Sequence, residues 1–334
     1  MNIVIPMAGQ GKRMRPHTLT TPKPLLPIAG KSIVQRLVED IAKVCNTKID
    51  EIAFVVGHFG EEAEQNLLKI AQSVGAKGRI CYQEEALGTA HAILCGKEVL
   101  NGNVVVAYAD TLFKAGFNLN LENDASIWVQ KVENPSAYGV IKQNANGNIE
   151  AIIEKPKEFV SDLAIIGIYY FKDGENLKKE LQYLIDNDIK VNGEYYITDA
   201  LDNMNRKGLV FSPSIVEEWL DCGNAAATIH TNQRYLEYLK NENLVDSTTQ
   251  IINSTIVQPV FIGANVIIEN SVVGPHVSIG KNGKITNSII NNSILQENST
   301  ITNANISDSM IGNFTEISGN QAHLNLGDYS QIQV

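Results

Sequence analysis

A short segment near the amino end concentrates the side chains best suited to holding a phosphate. Gly9-Gln10-Gly11-Lys12-Arg13-Met14-Arg15-Pro16 is followed closely by Thr21-Pro22-Lys23-Pro24-Leu25-Leu26-Pro27. Glycines such as Gly9 and Gly11 let backbone N–H groups approach phosphate oxygens with no Cβ in the way. Arg13 can grip two oxygens at once, and Lys23 acts as a compact charge, with Lys12 as a further cation on the loop. Two common glycine-rich readings fit poorly. A dinucleotide fingerprint needs a third glycine near Arg13 and Met14, and a P-loop needs Ser or Thr directly after Gly-Lys, where Arg13 stands. The first 38 residues hold Lys12, Arg13, Arg15, Lys23, Lys31 and Arg36, with no carboxylate before Glu39, in a chain of net charge −10. That local positive field suits a small polyanion, whereas the acidic whole argues against nucleic acid. A further reactive group is Asp110, which ends the run Val104-Val105-Val106-Ala107-Tyr108-Ala109. Ligands gather beyond the carboxyl ends of parallel strands, and a carboxylate there suits Mg²⁺.

Read together, Gly9-x-Gly11-x-Arg13-Met14-x-Pro16 and Pro22-Lys23-Pro24-Leu25-Leu26-Pro27 resemble the signature of the sugar-phosphate nucleotidyltransferases, or nucleotide-sugar pyrophosphorylases. Glucose-1-phosphate thymidylyltransferases and uridylyltransferases are close branches. The resemblance runs to about Asp221. It implies transfer of a nucleotidyl group from a nucleoside triphosphate, dTTP or UTP favoured, to a sugar 1-phosphate, glucose 1-phosphate favoured, with release of pyrophosphate. It implies Mg²⁺ held by Asp110 and by Asp221, the latter in Trp219-x-Asp221-x-Gly223. It further implies that Gln83 reads a pyrimidine edge while Gly88 lets the base lie against backbone; a side-chain amide offers one donor and one acceptor, as that edge requires. On the sugar side it points to Tyr138-Gly139, to Glu154 for hydroxyl groups, to Lys155 for the phosphate, and to Glu194 before Tyr195-Tyr196. Arg13, Lys23 and Lys155 are the expected catalytic cations. Two departures stand out: Ala109 replaces the usual glycine before the aspartate, and Lys12 stands where relatives often have a hydroxyl residue. A catalytically silent regulatory subunit and a bifunctional enzyme with an acyltransferase tail are the alternatives. His276 and His323 offer the latter no recognisable arrangement, and His91 reads as structural.

These residues need elements to carry them. Asn2 to Met7 is continuously apolar, as a strand buried on both faces should be. Ile33 to Val44, Glu61 to Val74 and Thr89 to Val99 have helical spacing, with Ser32 as an N-cap. Strands at Ile52 to Val56, Arg79 to Tyr82 and Val104 to Ala107 alternate with them, which predicts βαβ units and a parallel sheet. From Ala125 to Phe171 strands follow one another, predicting a mixed-sheet insertion. Helices return at Gly174 to Asn187, Ile197 to Lys207 and Ala225 to Leu239.

Beyond about Asn243, charge falls and an aliphatic residue recurs at five- or six-residue steps; Ile262, Ile279, Leu295 and Ile311 are separated by 17, 16 and 16 residues. A helical face recurs at 3.6, so this pattern predicts a parallel β-solenoid of about four coils, with Asn at the corners. The resemblance implies left-handed winding, against the usual crossover rule. The expected fold class is therefore a Rossmann-like α/β nucleotidyltransferase domain with a mixed, mainly parallel sheet, residues 1–243, followed by a left-handed parallel β-helix, residues 244–334. The aliphatic, charge-poor tail predicts a homo-oligomer. No apolar run is long enough to span a membrane. Four scattered cysteines without a CxxC suggest neither a disulfide framework nor zinc, and point to a cytoplasmic protein.

Overall fold

A computed structural model describes residues 1–319 and 323–333. They divide into two compact units, one of residues 1–9 and 37–219, the other of residues 10–36 and 220–334.

The first unit is built on strands that cannot face water. β1 (Asn2–Pro6), β2 (Glu51–Val56), β3 (Lys77–Tyr82) and β4 (Val104–Ala107) pair in parallel in the order β4-β1-β2-β3. Asn2 faces Glu51 on one side and Val104 on the other, which puts the carboxyl ends of these strands at one edge. Beyond β4 the sheet turns antiparallel, as the strand-rich middle predicts. β5 (Ala125–Lys131), the hairpin of β6 (Gly139–Gln143) and β7 (Ile149–Glu154), and the long β8 (Leu163–Phe171) complete it, with β8 against β4. A strand absent from the sequence expectation, β9 (Phe211–Ile215), pairs with β5. Its Ser-Pro-Ser centre lacks the alternation that marks strands. Helices α3 (Thr89–Cys95), α4 (Gly174–Asp186) and α5 (Ile197–Arg206) bury Ile93, Leu181 and Leu201 in one core with Val4, Val55 and Val106. α3 is shorter than its spacing suggests: it stops before Gly96, and Lys97–Val99 continues as a 3₁₀ turn. At the start of α1 (Ile33–Cys45), the Ser32 hydroxyl accepts from the Gln35 N–H at 3.3 Å, the expected cap.

In the second unit, helix α6 (Ala225–Tyr238) is capped by Asn224, whose side chain accepts from the Ala227 N–H. Among the described residues the tail forms three parallel sheets of six, four and five short strands, consistent with the left-handed β-helix expected. The inward columns are the aliphatics read from the repeat. Ile268, Ile285, Ile301 and Ile317 stack in register, as do Val273, Ile290 and Ile306, and Ile262, Ile279, Leu295 and Ile311. Two sheets exceed the expected four strands, because Gln250–Ile252 opens the stack early and Asn325–Leu326 and Gln331–Gln333 close it late. Asn253, Asn270, Asn287 and Asn303 occupy one corner with positive φ, which asparagine tolerates through local side-chain hydrogen bonds. Their amides bond along the stack, Asn253 to Asn270 at 2.7 Å and Asn287 to Asn303 at 3.1 Å.

Ile285 is fully buried in this core whereas Ile289 is 49 % exposed. Ile285→Ala is expected to destabilise the β-helix by about 2–5 kcal/mol, and Ile289→Ala by less than about 0.5 kcal/mol. Denaturant midpoints of the two variants check the contrast; equal midpoints would contradict the inward column.

Candidate active site

In the second unit the glycine turn is held by its neutral residues and presents its charged ones. Gly11 has φ +58, and a Cβ there would meet Thr18 Cγ2 at 3.0 Å and Lys23 Cβ at 3.1 Å, so the close approach requires glycine. Its carbonyl accepts from the Met14 N–H at 2.8 Å and from the Thr18 hydroxyl at 2.9 Å. Met14 is fully buried, and the Thr228 hydroxyl of α6 lies 3.6 Å from its sulfur. Around that anchor Lys12, Arg13 and Arg15 are exposed. Lys23 opens the 3₁₀ turn Lys23–Leu25 and is itself buried. Asp221, in the same unit, accepts from the Gly223 N–H at 2.9 Å through Oδ1, while its carbonyl accepts from the Thr231 hydroxyl at 2.8 Å.

In the first unit, Gly9 follows β1, and the space a Cβ would occupy is open. Gln83 leaves β3 with its N–H bonded to the Val56 carbonyl at 2.9 Å. Its side-chain nitrogen donates to the Gly88 carbonyl and to His91 Nδ1, both at 3.2 Å. Both amide hydrogens are thus directed inward, which leaves the Gln83 carbonyl oxygen as the group that accepts. His91, set aside in the sequence reading, is what orients that amide. Gly88 has φ +103 and lies against the Glu194–Tyr195 segment; a Cβ would sit 2.5 Å from the Tyr195 carbonyl oxygen. The Ala90 N–H donates to that oxygen and the Tyr195 N–H to the Leu87 carbonyl. The structure therefore joins Gln83, Gly88 and Glu194, residues over a hundred positions apart for the last.

Asp110 follows β4, as expected. Two residues earlier the Tyr108 N–H bonds the Gly167 carbonyl at 3.1 Å, and its ring stands edge-on to Tyr169 with centroids 6.2 Å apart. Burial pushes the Tyr108 hydroxyl well above the usual phenol range, and the charges of Asp110 and Glu154 push the same way. Tyr108 thus stands under the influence of both the metal candidate and the sugar candidate. Glu154 ends β7 opposite Gly139 and covers it with its carboxylate. Lys155 has φ +41, its N–H donates to the Tyr138 carbonyl at 3.1 Å, and its Nζ lies 3.8 Å from Glu154 Oε1. Both side chains are exposed, and an exposed pair contributes only about 0–1 kcal/mol, so stability does not explain it. The Tyr196 phenol is raised by burial first, then by its hydrogen bond to Glu194 and the nearby charge of Glu154. Tyr196 is thus bonded to Glu194 and lies within the field of Glu154. Tyr108 and Tyr196 were not legible as site residues, since an aromatic beside an apolar run reads as core. His276 is bonded through Nε2 to Glu237 of α6 at 2.7 Å, and His323 lies exposed, 3.6 Å from Asp308.

The nucleotidyl transferase family profile matches residues 3–238, and the chain belongs to that family. The low-salt glycan biosynthesis nucleotidyltransferase Agl11 of Haloferax volcanii is 30 % identical over 342 residues, covering 93 % of this chain and 92 % of that one. A glucose-1-phosphate thymidylyltransferase of Streptomyces antibioticus is 30 % identical over 367 residues, covering 100 % and 99 %. Among solved structures, a UDP-glucose pyrophosphorylase complexed with UDP-glucose superposes with a TM-score of 0.58 at 25 % identity, over 71 % of this chain and 98 % of that one. Among the described residues no helix is long and apolar enough to cross a membrane.

Gly88→Ala forces a Cβ against the Tyr195 backbone in a conformation that side chains resist, and is expected to destabilise the first unit by about 1–3 kcal/mol. A thermal-unfolding midpoint equal to the parent's would show that Leu87–Thr89 can move away from Tyr195.

Proposed function

We propose that the protein transfers a nucleotidyl group from a nucleoside triphosphate, dTTP or UTP foremost, to a sugar 1-phosphate, glucose 1-phosphate foremost. The carrying observation is the exposed cationic turn Lys12–Arg15, anchored by buried Met14, in a member of the nucleotidyl transferase family. Residues 1–243 act as the nucleotidyltransferase domain and residues 244–334 as the β-helix domain. The full-length similarity to a glucose-1-phosphate thymidylyltransferase supports the substrate class.

A phosphate oxygen of the sugar 1-phosphate attacks the α-phosphorus in line; the bond from that phosphorus to the bridging oxygen breaks, and pyrophosphate leaves. The nucleophile is already anionic, so no general base is required. What must be overcome is repulsion between anions and the entropy of alignment. Gly9 and Gly11 admit the phosphates to backbone N–H groups, and Lys12, Arg13 and Lys23 neutralise them and the leaving pyrophosphate. Lys155 aims the sugar phosphate; Glu154 and Glu194 accept from sugar hydroxyls beside Gly139. Gln83, with its carbonyl oxygen turned outward, accepts from the N3–H of thymine or uracil, and Gly88 holds it there. Thymine and uracil differ by one methyl group, worth only about 1 kcal/mol, which is why both are carried.

Asp110 and Asp221 are the carboxylates proposed for Mg²⁺. Their chemistry fits: Mg²⁺ takes one or two carboxylates and completes its shell with water and substrate phosphates. Among the described residues no cluster of three or more His, Cys, Asp or Glu forms a protein-only cage. When bound, the metal adds charge neutralisation at phosphate oxygens. The β-helix is further proposed to mediate homo-oligomers, since Val272 and Ile289 stand exposed on one of its sheets.

A matrix of nucleoside triphosphates against sugar 1-phosphates, read as pyrophosphate release, tests the reaction; no release from any pair removes it. Lys23→Ala and Asp110→Ala are each expected to lower kcat about 10²-fold or more, the loss typical of one such charge contact. Near-parent turnover in both folded variants would reject these roles. Light scattering at micromolar concentration should give a mass above the 36.6 kDa of one chain; a single-chain mass would remove the oligomer.

A further inference from the structure

His17, two residues beyond the cationic turn, is fully buried, and each of its ring nitrogens meets a side-chain amide from the β-helix. Nε2 lies 2.8 Å from Asn325 Oδ1, and Nδ1 lies 3.3 Å from Gln296 Nε2. The amide orientations are fixed further out. Gln296 Oε1 accepts from Asn313 Nδ2 at 3.1 Å, so Gln296 must turn its donor toward His17. The Asn313 N–H donates to Asp328 Oδ1 at 2.8 Å, and Asp328 Oδ2 accepts from the Thr20 hydroxyl at 2.6 Å. The donors and acceptors close consistently around one state of the ring: neutral, with the proton on Nε2 and a lone pair on Nδ1. Next to His17, Thr18 holds the Gly11 carbonyl, and Gly327 lies so close to Pro16 that a Cβ there would sit 2.8 Å from the Pro16 Cβ.

We infer that the last coils of the β-helix are a positioning device for the cationic turn. Gln296, Asn313, Asn325 and Asp328 fix His17 and Thr20, and through Thr18 these set the Gly11–Arg15 backbone. This rests on the proposed role of that turn in binding the triphosphate. It makes His17 and Gln296 positioning residues and gives the tail a task beyond assembly.

The arrangement carries a pH sign. Burial holds His17 below its usual range, opposed by the bond to Asn325 and by Asp328, the charged group that acts on it. Once His17 is protonated, Nδ1 can no longer accept from Gln296. Since the unfolded chain takes up the proton first, near the ordinary value of 6.5, the docking is fully stable above that pH and weakens as pH falls below it.

The test uses the full chain, its Gln296→Leu, Gln296→Glu and Thr20→Val variants, and two readouts. In hydrogen exchange, the amides of Met14 and Leu19 in Gln296→Leu and Thr20→Val should exchange about tenfold faster, the loss of one or two hydrogen bonds. Those of β4 should not change. In pyrophosphate release, KM for the triphosphate should rise more than kcat falls. Gln296→Glu, which sets an acceptor against Nδ1 and favours the charged ring, should move the acid limb of kcat/KM to higher pH. Unchanged exchange at Met14 and Leu19, or exchange that rises equally throughout the chain, would overturn the inference. So would an unmoved KM and pH limb in an active enzyme. Faster local exchange in a chain that releases no pyrophosphate from any substrate pair would uphold the docking and sink the proposed reaction instead.

Discussion

A turn that crowds three cations into four residues must be held against its own repulsion. Two unit charges 4 Å apart repel by about 1 kcal/mol even in water, and more near a protein surface. Lys12, Arg13 and Arg15 are spaced so closely that local carboxylates would be the simple remedy, yet the sequence offers none before Glu39. The chain uses neutral anchors instead. Met14 is buried between the charges, Gly11 takes a left-handed conformation that lets Thr18 close in, and the Gly11 carbonyl receives two donors. The cations stay exposed, where water screens their mutual repulsion.

The first unit solves a different problem, that of bringing together polar groups distant in sequence without burying unpaired charge. Its parallel strands end at one edge, so Gln83 after β3 and Asp110 after β4 emerge on the same side of the sheet. The antiparallel extension then delivers Glu154 and Lys155 at the end of β7. Two phenols lie within the fields of these acids: Tyr108 feels Asp110 and Glu154, and Tyr196 bonds Glu194 and feels Glu154. A neutral phenol beside a carboxylate adds no charge of its own, so it can fill the space between acids without raising their repulsion.

The parallel strands, the helices that cover them and the aliphatic columns of the tail were legible because burial imposes a period on sequence, and a period survives without knowledge of partners. Ile262, Ile279, Leu295 and Ile311 could be placed in one column from their spacing alone. The glycine turn was legible as a tight turn because Gly11 is the residue type a left-handed backbone favours. What escaped has no period. β9 is a Ser-Pro-Ser strand recognisable only from its partner β5. His91 acts through Gln83, eight residues away, and Tyr108 and Tyr196 feel the charge of Glu154 from 46 and 42 residues away, which no local pattern encodes. The grouping of residues 10–36 with 220–334 was likewise hidden. It rests on pairs such as His17 with Asn325 and Ala29 with Asn232, each meaningless until the chain has folded back on itself.

The asparagine-cornered stack has one more consequence. Each coil consumes 16 or 17 residues between Ile262 and Ile311 and advances the solenoid by roughly one strand spacing, about 4.8 Å. Sequence length in the tail is therefore converted into distance in whole steps, and the side chains that reach Thr20 and His17 sit at a set number of steps from α6. Insertions of a full coil would preserve every inward column and every corner while carrying Asn325 and Asp328 one rung out of reach. The tail thus works as a ruler, and its coil number is part of the specification of the glycine turn.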